Sequence, residues 1–475
     1  MENLKKEVKM GETGRMVRTK RMARGNEMLI PRSVYYRLFQ AAVAKEKYIR
    51  VDGTLYYRSG TFYEKLNANE ILGHLLKILP QEMYDDIISA NKTKLFELFS
   101  SIPDIPEYSR EEVNEWYSDY IALKNCIVNI KTQKVYPATK NIICLVGLNA
   151  EYLEDTDLPT PVWDSFIEKI SGGDGEIADR IKDVAANILM TGKNIKKFYV
   201  FGTAPSSGKS TLADFLESFF YKKDIGRMDM HDFKHKFSMG SLCNYAVNIS
   251  MDLDSQLLST RAVSNVKILT GERRIQKEAK YEQSQAVSCC CNLLFGTNFP
   301  IRLKKCDEAF FDRMEIVPFL NSVPLEERSR ELPAKLLREK NAVVTKLIRR
   351  LKILAERNYE LSRCSMADQM KKQWKAQQGD EVEGFLRFCC HITDKPDDYE
   401  LTSKLHEKFR VFMGYQEGEG MNANVFSRKV REHICQDCNQ MSNMVRLPGR
   451  ETTARVIRGL QLKRQYEVWN IGREA

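Results

Sequence analysis

The segment KKFYVFGTAPSSGKSTLADFLESFF, residues 196–220, constrains the fold of this chain more than any other stretch. An apolar run from Phe198 to Phe201 leads into a loop of Gly, Ser and Pro, and the residues Gly208-Lys209-Ser210-Thr211 open a helical pattern. Strand, glycine-containing loop and helix in this order are the context that a Walker A phosphate loop requires. Backbone N–H groups and the positive end of the helix dipole then hold an anion. The segment predicts an α/β core that binds a nucleoside triphosphate.

Within this segment, Lys209 is predicted to reach the β- and γ-phosphates, and the Ser210 hydroxyl is predicted to ligate Mg²⁺. The motif departs from the usual spacing at one point, because Thr203 holds its first position and Gly202 precedes it. This departure concerns the geometry of the loop. The simpler alternative is a Ser/Gly turn before a helix. The predicted nucleotide-binding residues are Thr203, Ala204, Pro205, Ser206, Ser207, Gly208, Lys209, Ser210 and Thr211.

Two later apolar strands end in polar side chains. Asp252 lies at the end of YAVNISMD with Asp254 beyond it, and CCCNLLFGTN ends in Thr297-Asn298. A carboxylate at the end of a strand can hold the water shell of Mg²⁺ or polarise the attacking water, as a Walker B residue does. Asn298 is predicted to sense the γ-phosphate. The alternative for Asp252 is an Asp pair that caps the next helix.

Arg313 lies just before the apolar strand of DEAFFDRMEIVPF, residues 307–319. In a ring of identical subunits, such an arginine can reach the γ-phosphate held by a neighbour, and its planar guanidinium suits the charge of the transition state. An arginine that acts in this way, called an arginine finger, accelerates phosphoryl transfer by a factor of roughly 10³–10⁵. The predicted catalytic residues are Lys209, Asp252, Asn298 and Arg313.

The order of these elements resembles that of superfamily 3 helicases, and is most similar to the primase–helicase branch of phages, plasmids, mobile islands and poxviruses. The resemblance is carried by the phosphate loop, the acidic strand end, VKILTGERRIQKEAKY, LLFGTNFP and AFFDRMEIVPF. The family patterns are K-x-LTG-x-x-x-I, TN-x-P and D-x-AFxxR-x-x-x-x-PF. YIALKNCIVNIKT, VWDSFIEKISGGD and the C-terminal stretch also resemble the family, which extends the resemblance over residues 115–475.

The resemblance implies an ATP-dependent DNA helicase with ATP and Mg²⁺ as cofactors, which replicates a phage, plasmid or mobile element. It also implies a homo-hexameric ring that moves 3′ to 5′ on single-stranded DNA. In such rings, a hairpin before the strand that ends here in Thr297-Asn298 faces the channel. Lys277, Lys280 and Tyr281 are the candidates for DNA contact in this chain. A charged surface hairpin is the alternative. The residues before 115, where the resemblance begins, contain no predicted strand with paired carboxylates, so we expect no primer synthesis.

The predicted fold class is α/β, with a P-loop AAA+-like ATPase core, N-terminal α/β and helical segments, and a C-terminal winged helix. Residues 102–108 are Pro-rich and predict a linker, and residues 121–137 predict two strands. The predicted domains are a flexible basic tail (1–25), an α+β accessory domain (26–110), a pre-ATPase segment with a helical collar (111–192), the ATPase core (193–325), a helical connector (326–378) and the winged helix (379–475).

The net charge of +10 is modest, but its distribution fits a polyanionic partner. Residues 1–25 hold eight basic and three acidic residues, a net +5, and residues 424–464 hold nine and three, a net +6. In the helix predicted at 424–434, apolar residues would face the core. The outward residues predicted to bind duplex DNA, as in a recognition helix, are Arg428, Lys429 and Arg431. A wing that docks on a partner protein is the alternative.

The chain has no apolar run long enough to span a bilayer, and its N-terminus has no secretory signal pattern. The twelve cysteines follow no small-scaffold spacing, which predicts reduced thiols in a cytoplasmic protein at a bacterial or viral replication site. Cys435 and Cys438 form a C-x2-C pair, but no second pair completes a usual zinc spacing. Thiols without zinc are therefore the simpler interpretation.

Two functions of other classes remain open. The basic tail and wing also suit an origin-binding initiator that uses ATP as a switch with little unwinding. Walker motifs in a ring also suit an ATPase that remodels proteins. The expected partners are single-stranded DNA, origin duplex DNA and replisome proteins, with no membrane. The discriminating observations are strand displacement on forked DNA and the response of ATP hydrolysis to single-stranded DNA.

Overall fold

The computed structural model describes residues 21–22, 28–29, 32–155, 157–192, 195–235, 238–271, 275–277, 285–287, 289–413, 415, 418, 420–446 and 453–463. The chain divides into two compact units, residues 1–59 with 63–109 and residues 60–62 with 110–475. Among the described residues, no helix is both long enough and apolar enough to cross a bilayer.

The first unit packs helices against a small sheet of order β5-β4-β3-β6. Strands β3, β4 and β5 are neighbours both in the sheet and along the chain, and the turn between β3 and β4 has Gly53 at φ +70°. The elements are β1 (Arg21–Met22), β2 (Met28–Leu29), α1 (Arg32–Lys45), β3 (Tyr48–Val51), β4 (Thr54–Ser59), β5 (Phe62–Lys65), α2 (Ile71–Ile78), α3 (Tyr84–Ser89), α4 (Lys92–Ser101) and β6 (Glu107–Tyr108).

The linker predicted at residues 102–108 is wrong, because this stretch is part of the first unit. Ile102 and Ile105 are buried in its core, and β6 pairs in parallel with β3. The Arg50 guanidinium also donates to the carbonyl of Ser100 over 2.7 Å. The two isoleucines, each of which precedes a proline, therefore hold the segment in place, and the division between the units follows Ser109.

The second unit begins with α5 and a three-stranded sheet of order β7-β8-β9, where the sequence predicted two strands. The polar stretches at 124–125 and at 131–134 both turn the chain, whereas a prediction of two strands allows for only one turn. The first elements are α5 (Arg110–Tyr117), β7 (Tyr120–Ala122), β8 (Ile127–Asn129), β9 (Val135–Tyr136), α6 (Pro161–Ser171), α7 (Gly175–Asn187), β10 (Phe198–Thr203), α8 (Lys209–Glu217), β11 (Ile225–Gly226), α9 (Ser238–Leu242), β12 (Val247–Leu253) and α10 (Thr260–Leu269).

The remaining elements continue the α/β pattern and then turn mainly helical. They are β13 (Ile275–Lys277), β14 (Gln285–Val287), β15 (Asn292–Thr297), α11 (Glu308–Arg313), β16 (Met314–Phe319), α12 (Leu332–Glu356), α13 (Ser365–Ala376), α14 (Glu381–Cys389), β17 (Cys390–Ile392), β18 (Tyr399–Leu401), α15 (Thr402–Met413), α16 (Ala423–Glu432), α17 (Gln436–Gln440), β19 (Met444–Arg446), β20 (Thr453–Arg458) and β21 (Leu460–Leu462).

A five-stranded parallel sheet of order β11-β12-β15-β10-β16 forms the centre of the second unit. Every residue of β15 is buried, and β10 is buried from Phe198 to Gly202. Strands that are apolar on both faces need helices on both sides of the sheet, which is the arrangement of an α/β core. This sheet confirms the predicted α/β class and places the carboxyl ends of β10, β12 and β15 at one edge.

Helices α7 and α12 pack against this core and are joined by a buried carboxylate. The Asp183 side chain is fully buried and accepts hydrogen bonds from Arg350 Nε at 2.6 Å, Arg357 Nη2 at 2.8 Å and the Ser362 backbone N–H at 2.5 Å. Apolar residues of α12, including Leu336, Leu347 and Leu351, are buried as well. The ion pairs therefore fix the register of two helices that support the sheet.

The described part of the C-terminal region combines four helices, α14 to α17, with two small sheets of orders β17-β21 and β18-β20-β19. Phe385, Phe409 and Phe426 are fully buried and meet in its core, with ring centroids of Phe409 and Phe426 4.7 Å apart. Gln378 connects this region to the central part of the unit, because its side chain bonds Leu303 N at 2.7 Å and Ile301 O at 3.0 Å. Strands β17 and β18 lie between α14 and α15 in the chain, and β19, β20 and β21 follow α17, so the assignment to a winged helix stays a prediction.

We expect Asp183→Asn to lower the free energy of unfolding by about 3 kcal/mol, since it leaves two arginines without their buried carboxylate. The urea midpoint, followed by far-UV circular dichroism, measures the loss. Lys335→Ala is the matched control, because it breaks the exposed pair of Lys335 and Glu331 and should leave the midpoint unchanged. Equal midpoints for the two variants would contradict this role of Asp183.

Candidate functional site

The loop between β10 and α8, residues 203–208, is held in place by the segment that follows β16. Ala204 N donates to Phe319 O at 2.8 Å, and Val323 N donates to Ser206 O at 3.0 Å. Gly208 begins α8 at φ +91°, and a Cβ atom there would lie 2.7 Å from the Ile170 side chain. Glycine is therefore required at this position both by the backbone conformation and by the contact with α6.

The Lys209 side chain is buried under this loop. Its ammonium donates to the carbonyl of Ala204 and to Ser207 Oγ, the latter over 3.3 Å. Only 7% of the residue is exposed, and burial lowers the pKa of the ammonium to about 8 because the charged form loses hydration. The charge is thus poorly solvated, which favours an anionic ligand close to it.

A cavity of about 290 Å³ lies beside the loop and brings four predicted residues together. Lys209 and Ser210 line it from the start of α8, Asp252 from the end of β12, and Asn298 from the residue after β15. Of the nine predicted nucleotide-binding residues, 206–211 line the cavity, whereas 203–205 belong to the loop and are not among its lining residues. Parallel pairing of the strands is what makes these distant segments converge.

The residues of the cavity fit a bound magnesium ion only in company with a phosphate ligand. Ser210 and Asp252 supply a hydroxyl and a carboxylate, which are the hard oxygen donors that Mg²⁺ takes. Among the described residues, no three His, Cys, Asp or Glu side chains are grouped so as to hold a metal ion. Mg²⁺ is commonly bound by one or two carboxylates together with substrate phosphates and water, which agrees with this donor set.

One wall of the cavity comes from residues that the sequence did not single out. Phe166, Lys169 and Ile170 reach it from α6, while Arg328 and Leu332 reach it from the segment after β16. An ion pair of 2.7 Å between Lys169 and Glu327 joins these two sides of the wall. No nucleotide-binding motif includes these residues, although Phe166, Lys169 and Ile170 lie in the segment VWDSFIEKISGGD.

Arg313 lies at the end of α11 and is not among the residues that line the cavity of its own chain. Its Nη1 atom donates to Ala309 O at 2.7 Å, and its guanidinium lies beside Gly271. The reach to a neighbouring subunit stays a prediction.

The hairpin predicted before β15 is formed by β13 and β14, which pair antiparallel from Ile275–Val287 to Lys277–Gln285. Lys277 is the last residue of β13. Lys280 and Tyr281 lie outside the described residues. Contact of these three residues with DNA stays a prediction.

A groove with a volume of about 930 Å³ in the C-terminal region contains two of the three arginine and lysine residues predicted in α16. Arg428 and Arg431 line it together with Arg455 from β20, so three cations share one surface. Arg431 is also held by Asn443 Oδ1 at 2.5 Å and Val456 O at 3.2 Å. Lys429 points elsewhere, with its ammonium 3.6 Å from Asp380.

In the C-x2-C pair, Cys435 directly precedes α17 and Cys438 lies within it. The Cys435 thiol donates to the carbonyl of Asp394 over 3.8 Å, and Cys438 is buried. Burial, followed by a hydrogen bond with Cys435, raises the pKa of the Cys438 thiol to about 11, so it is protonated at neutral pH. The geometry is that of packed thiols.

Two known families match parts of the sequence. Residues 37–172 match a family described as D5 N terminal like, and residues 200–313 match a family of unknown function, DUF5906. Each match covers less than a third of the chain. The first match supports a relationship to the replication primase–helicase family of phages and plasmids.

Two solved structures are weakly similar to this chain. The A form apo structure of the NrS-1 C terminal region is 12% identical at a TM-score of 0.47, and covers 90% of this chain and 98% of that chain. A second apo structure of the same region, residues 305–718, is 10% identical at a TM-score of 0.48, with 90% and 100% covered. At TM-scores below 0.5, neither carries an argument about this chain. No curated protein matches the sequence.

We expect the affinity of the cavity for a triphosphate to fall about tenfold between pH 7 and pH 9. The Lys209 ammonium has a pKa of about 8 and loses its proton over this range, and with it the attraction to phosphate. Titration with a fluorescent ATP analogue at each pH measures the change. Lys209→Arg is the control, because a guanidinium stays charged and should abolish the slope. The same slope in that variant would contradict the assignment.

Proposed function

We propose that this protein is an ATP-dependent, ring-forming DNA helicase of the superfamily 3 type, which acts in replication of a phage, plasmid or mobile element. The observation that carries the proposal is the meeting of Lys209, Ser210, Asp252 and Asn298 around one cavity at the carboxyl edge of a parallel sheet. Ligands of open α/β sheets bind at this edge. The relationship supported by the D5 match agrees with a role in DNA replication.

In this proposal, the loop 203–208 and the start of α8 hold the phosphates of ATP through backbone N–H groups and the Lys209 ammonium. Ser210 and Asp252 hold Mg²⁺, which neutralises charge on the phosphates when it is bound. Asn298 lies exposed at the same edge, where its amide orients a water molecule for attack. The apolar wall from Phe166 and Ile170 excludes bulk water from one side of the nucleotide.

The fourth catalytic group, Arg313, comes from a neighbouring subunit. Its guanidinium stabilises the charge that develops on the γ-phosphate, and the site is complete only in a ring. Hydrolysis at each interface then shifts the hairpin of β13 and β14 along single-stranded DNA. The basic groove of the C-terminal region, which we assign to a winged helix, contacts the phosphates of a duplex.

A second candidate function is supported by that groove. Three arginines on one surface also suit an origin-binding initiator that uses ATP as a switch. A footprint on one replicon sequence, without strand displacement on forked DNA, would favour the initiator. An ATPase activity indifferent to single-stranded DNA would favour a protein-remodelling ring instead.

Two variants test the proposed site between subunits: one removes the lysine that binds ATP, and the other removes the arginine that a neighbouring subunit supplies. Lys209→Ala should abolish ATP hydrolysis and unwinding, while Arg313→Ala should bind ATP but hydrolyse it about 10³-fold more slowly. Mixed rings of the two variants should recover turnover, because an intact pocket then meets an intact arginine. Steady-state ATPase assays on titrated mixtures measure this recovery, with native mass spectrometry to verify that mixed rings form.

Lys352→Ala is the control for these variants, because this exposed lysine of α12 is remote in sequence from the loop and should leave turnover unchanged. Full ATPase activity in Lys209→Ala would refute the proposed pocket. Failure of the mixed rings to recover would refute the action of Arg313 on a neighbour.

Arg428→Ala should weaken duplex binding and reduce the slope of log affinity against log salt by about one, since it removes one phosphate contact. Lys429→Ala is the matched control from the next position of α16, where the ammonium faces Asp380 instead of the groove. Fluorescence anisotropy at several salt concentrations compares the two. Equal effects would indicate that the groove is not the binding surface.

A further inference from the structure

The short helix α11, which carries Arg313, is fixed at its start by an ion pair. Lys267 Nζ, from α10, lies 2.6 Å from Asp307 Oδ2. The other oxygen of this carboxylate caps α11 by accepting from Phe310 N at 2.9 Å. The Phe310 ring is fully buried, with its centroid 5.0 Å from that of Phe198 in β10. Because α11 has six residues, a shift at its start moves Arg313 at its end.

The guanidinium of Arg313 packs against the turn that follows α10. A Cβ atom on Gly271 would lie 3.1 Å from Arg313 Nη2 and 2.7 Å from the carbonyl oxygen of Lys267. The φ angle of Gly271 lies outside the left-handed region, so other residues could adopt this backbone conformation. Glycine is required here because a side chain would collide with its neighbours. The turn thus sets how closely the guanidinium approaches the end of α10.

Charge favours the same arrangement. The carbonyl end of α10 carries the negative end of the helix dipole, which attracts the guanidinium. Burial alone would raise the pKa of Asp307, but the hydrogen bonds from Lys267 and from Phe310 N, together with the charge of Arg313, lower it below its ordinary value. The carboxylate is therefore ionised, and the charges of Lys267 and Arg313 both favour that state.

We propose that Lys267, Gly271 and Asp307 are positioning residues that hold the Arg313 guanidinium where the nucleotide of the neighbouring subunit can meet it. This inference rests on the proposed function, because it requires Arg313 to act in the pocket of another copy. It gives a joint role to two stretches of the sequence, VKILTG at 266–271 and DEAFFDR at 307–313, which lie in different helices and contact each other here.

The test uses Lys267→Met and Gly271→Ala in the full chain, assayed for ATP hydrolysis with single-stranded DNA. Each should lower kcat about 10-fold to 100-fold, since small misplacements of a catalytic group have effects of this size. KM for ATP should change less than about twofold, because the pocket of each chain keeps its own residues. Lys267→Arg, which preserves the cation, should restore kcat.

Lys375→Met is the matched control. Lys375, from α13, pairs with Glu308 and lies 3.7 Å from Asp312 on the same helix α11, but it does not contact Gly271 or Asp307 in any hydrogen bond or ion pair of the described residues. It should leave kcat unchanged, because the Asp307 cap of α11 and the contact of Arg313 with Gly271 both remain. A loss in this control equal to that of Lys267→Met would overturn the proposal, since it would indicate general loosening of α11.

Double variants separate this proposal from the function on which it rests. In an Arg313→Ala background, Lys267→Met and Gly271→Ala should have no further effect on kcat, whereas an added loss would overturn their action through Arg313. If Arg313→Ala alone keeps full turnover, the proposed ring mechanism fails. If Arg313→Ala is slow but Lys267→Met keeps the kcat of the unmodified chain, the positioning role fails and the ring mechanism stands.

Discussion

Parallel pairing of β12 with β15, and of β15 with β10, is the constraint on which the candidate site depends. Each of these strands is followed by a polar residue or loop, and the pairing places Lys209, Asp252 and Asn298 around one cavity although they are far apart in the chain. Parallel strands require crossover connections, so the helices between them must cover the faces of the sheet. Parallel pairing of the strands therefore explains both the burial of β10 and β15 and the position of the cavity.

Strand β16 connects the two halves of the proposed mechanism. It begins at Met314, directly after Arg313, and it ends at Phe319, whose carbonyl accepts from Ala204 in the loop 203–208. Hydrogen bonds to β10 along its whole length make it a stiff connection. In the proposed ring, a displacement of Arg313 would therefore reach the loop of the same chain through β16 and the hydrogen bond from Ala204 N to Phe319 O. This arrangement suits a ring in which neighbouring sites respond to each other.

Local patterns in the sequence were sufficient for the residues at the edge of the sheet. The strand–loop–helix order around Lys209 and the polar ends of β12 and β15 could be read from apolar runs, because buried strands must be apolar and their ends must not. The same reasoning failed at residues 102–108, where prolines suggested a linker. Ile102 and Ile105 are buried there, and their burial in the core outweighs the restriction that proline places on the backbone.

The sequence by itself determined the α/β class, the position of the loop 203–208 and the polar residues that end its neighbouring strands, since these follow from short-range periodicity and backbone chemistry. Only the tertiary structure decided that α6 and the segment after β16 wall the cavity, that Lys429 turns away from the basic groove, and that Gly271 lies against Arg313. These contacts join residues from different elements, and their geometry depends on how helices pack on the sheet. No pattern within a single element encodes that packing.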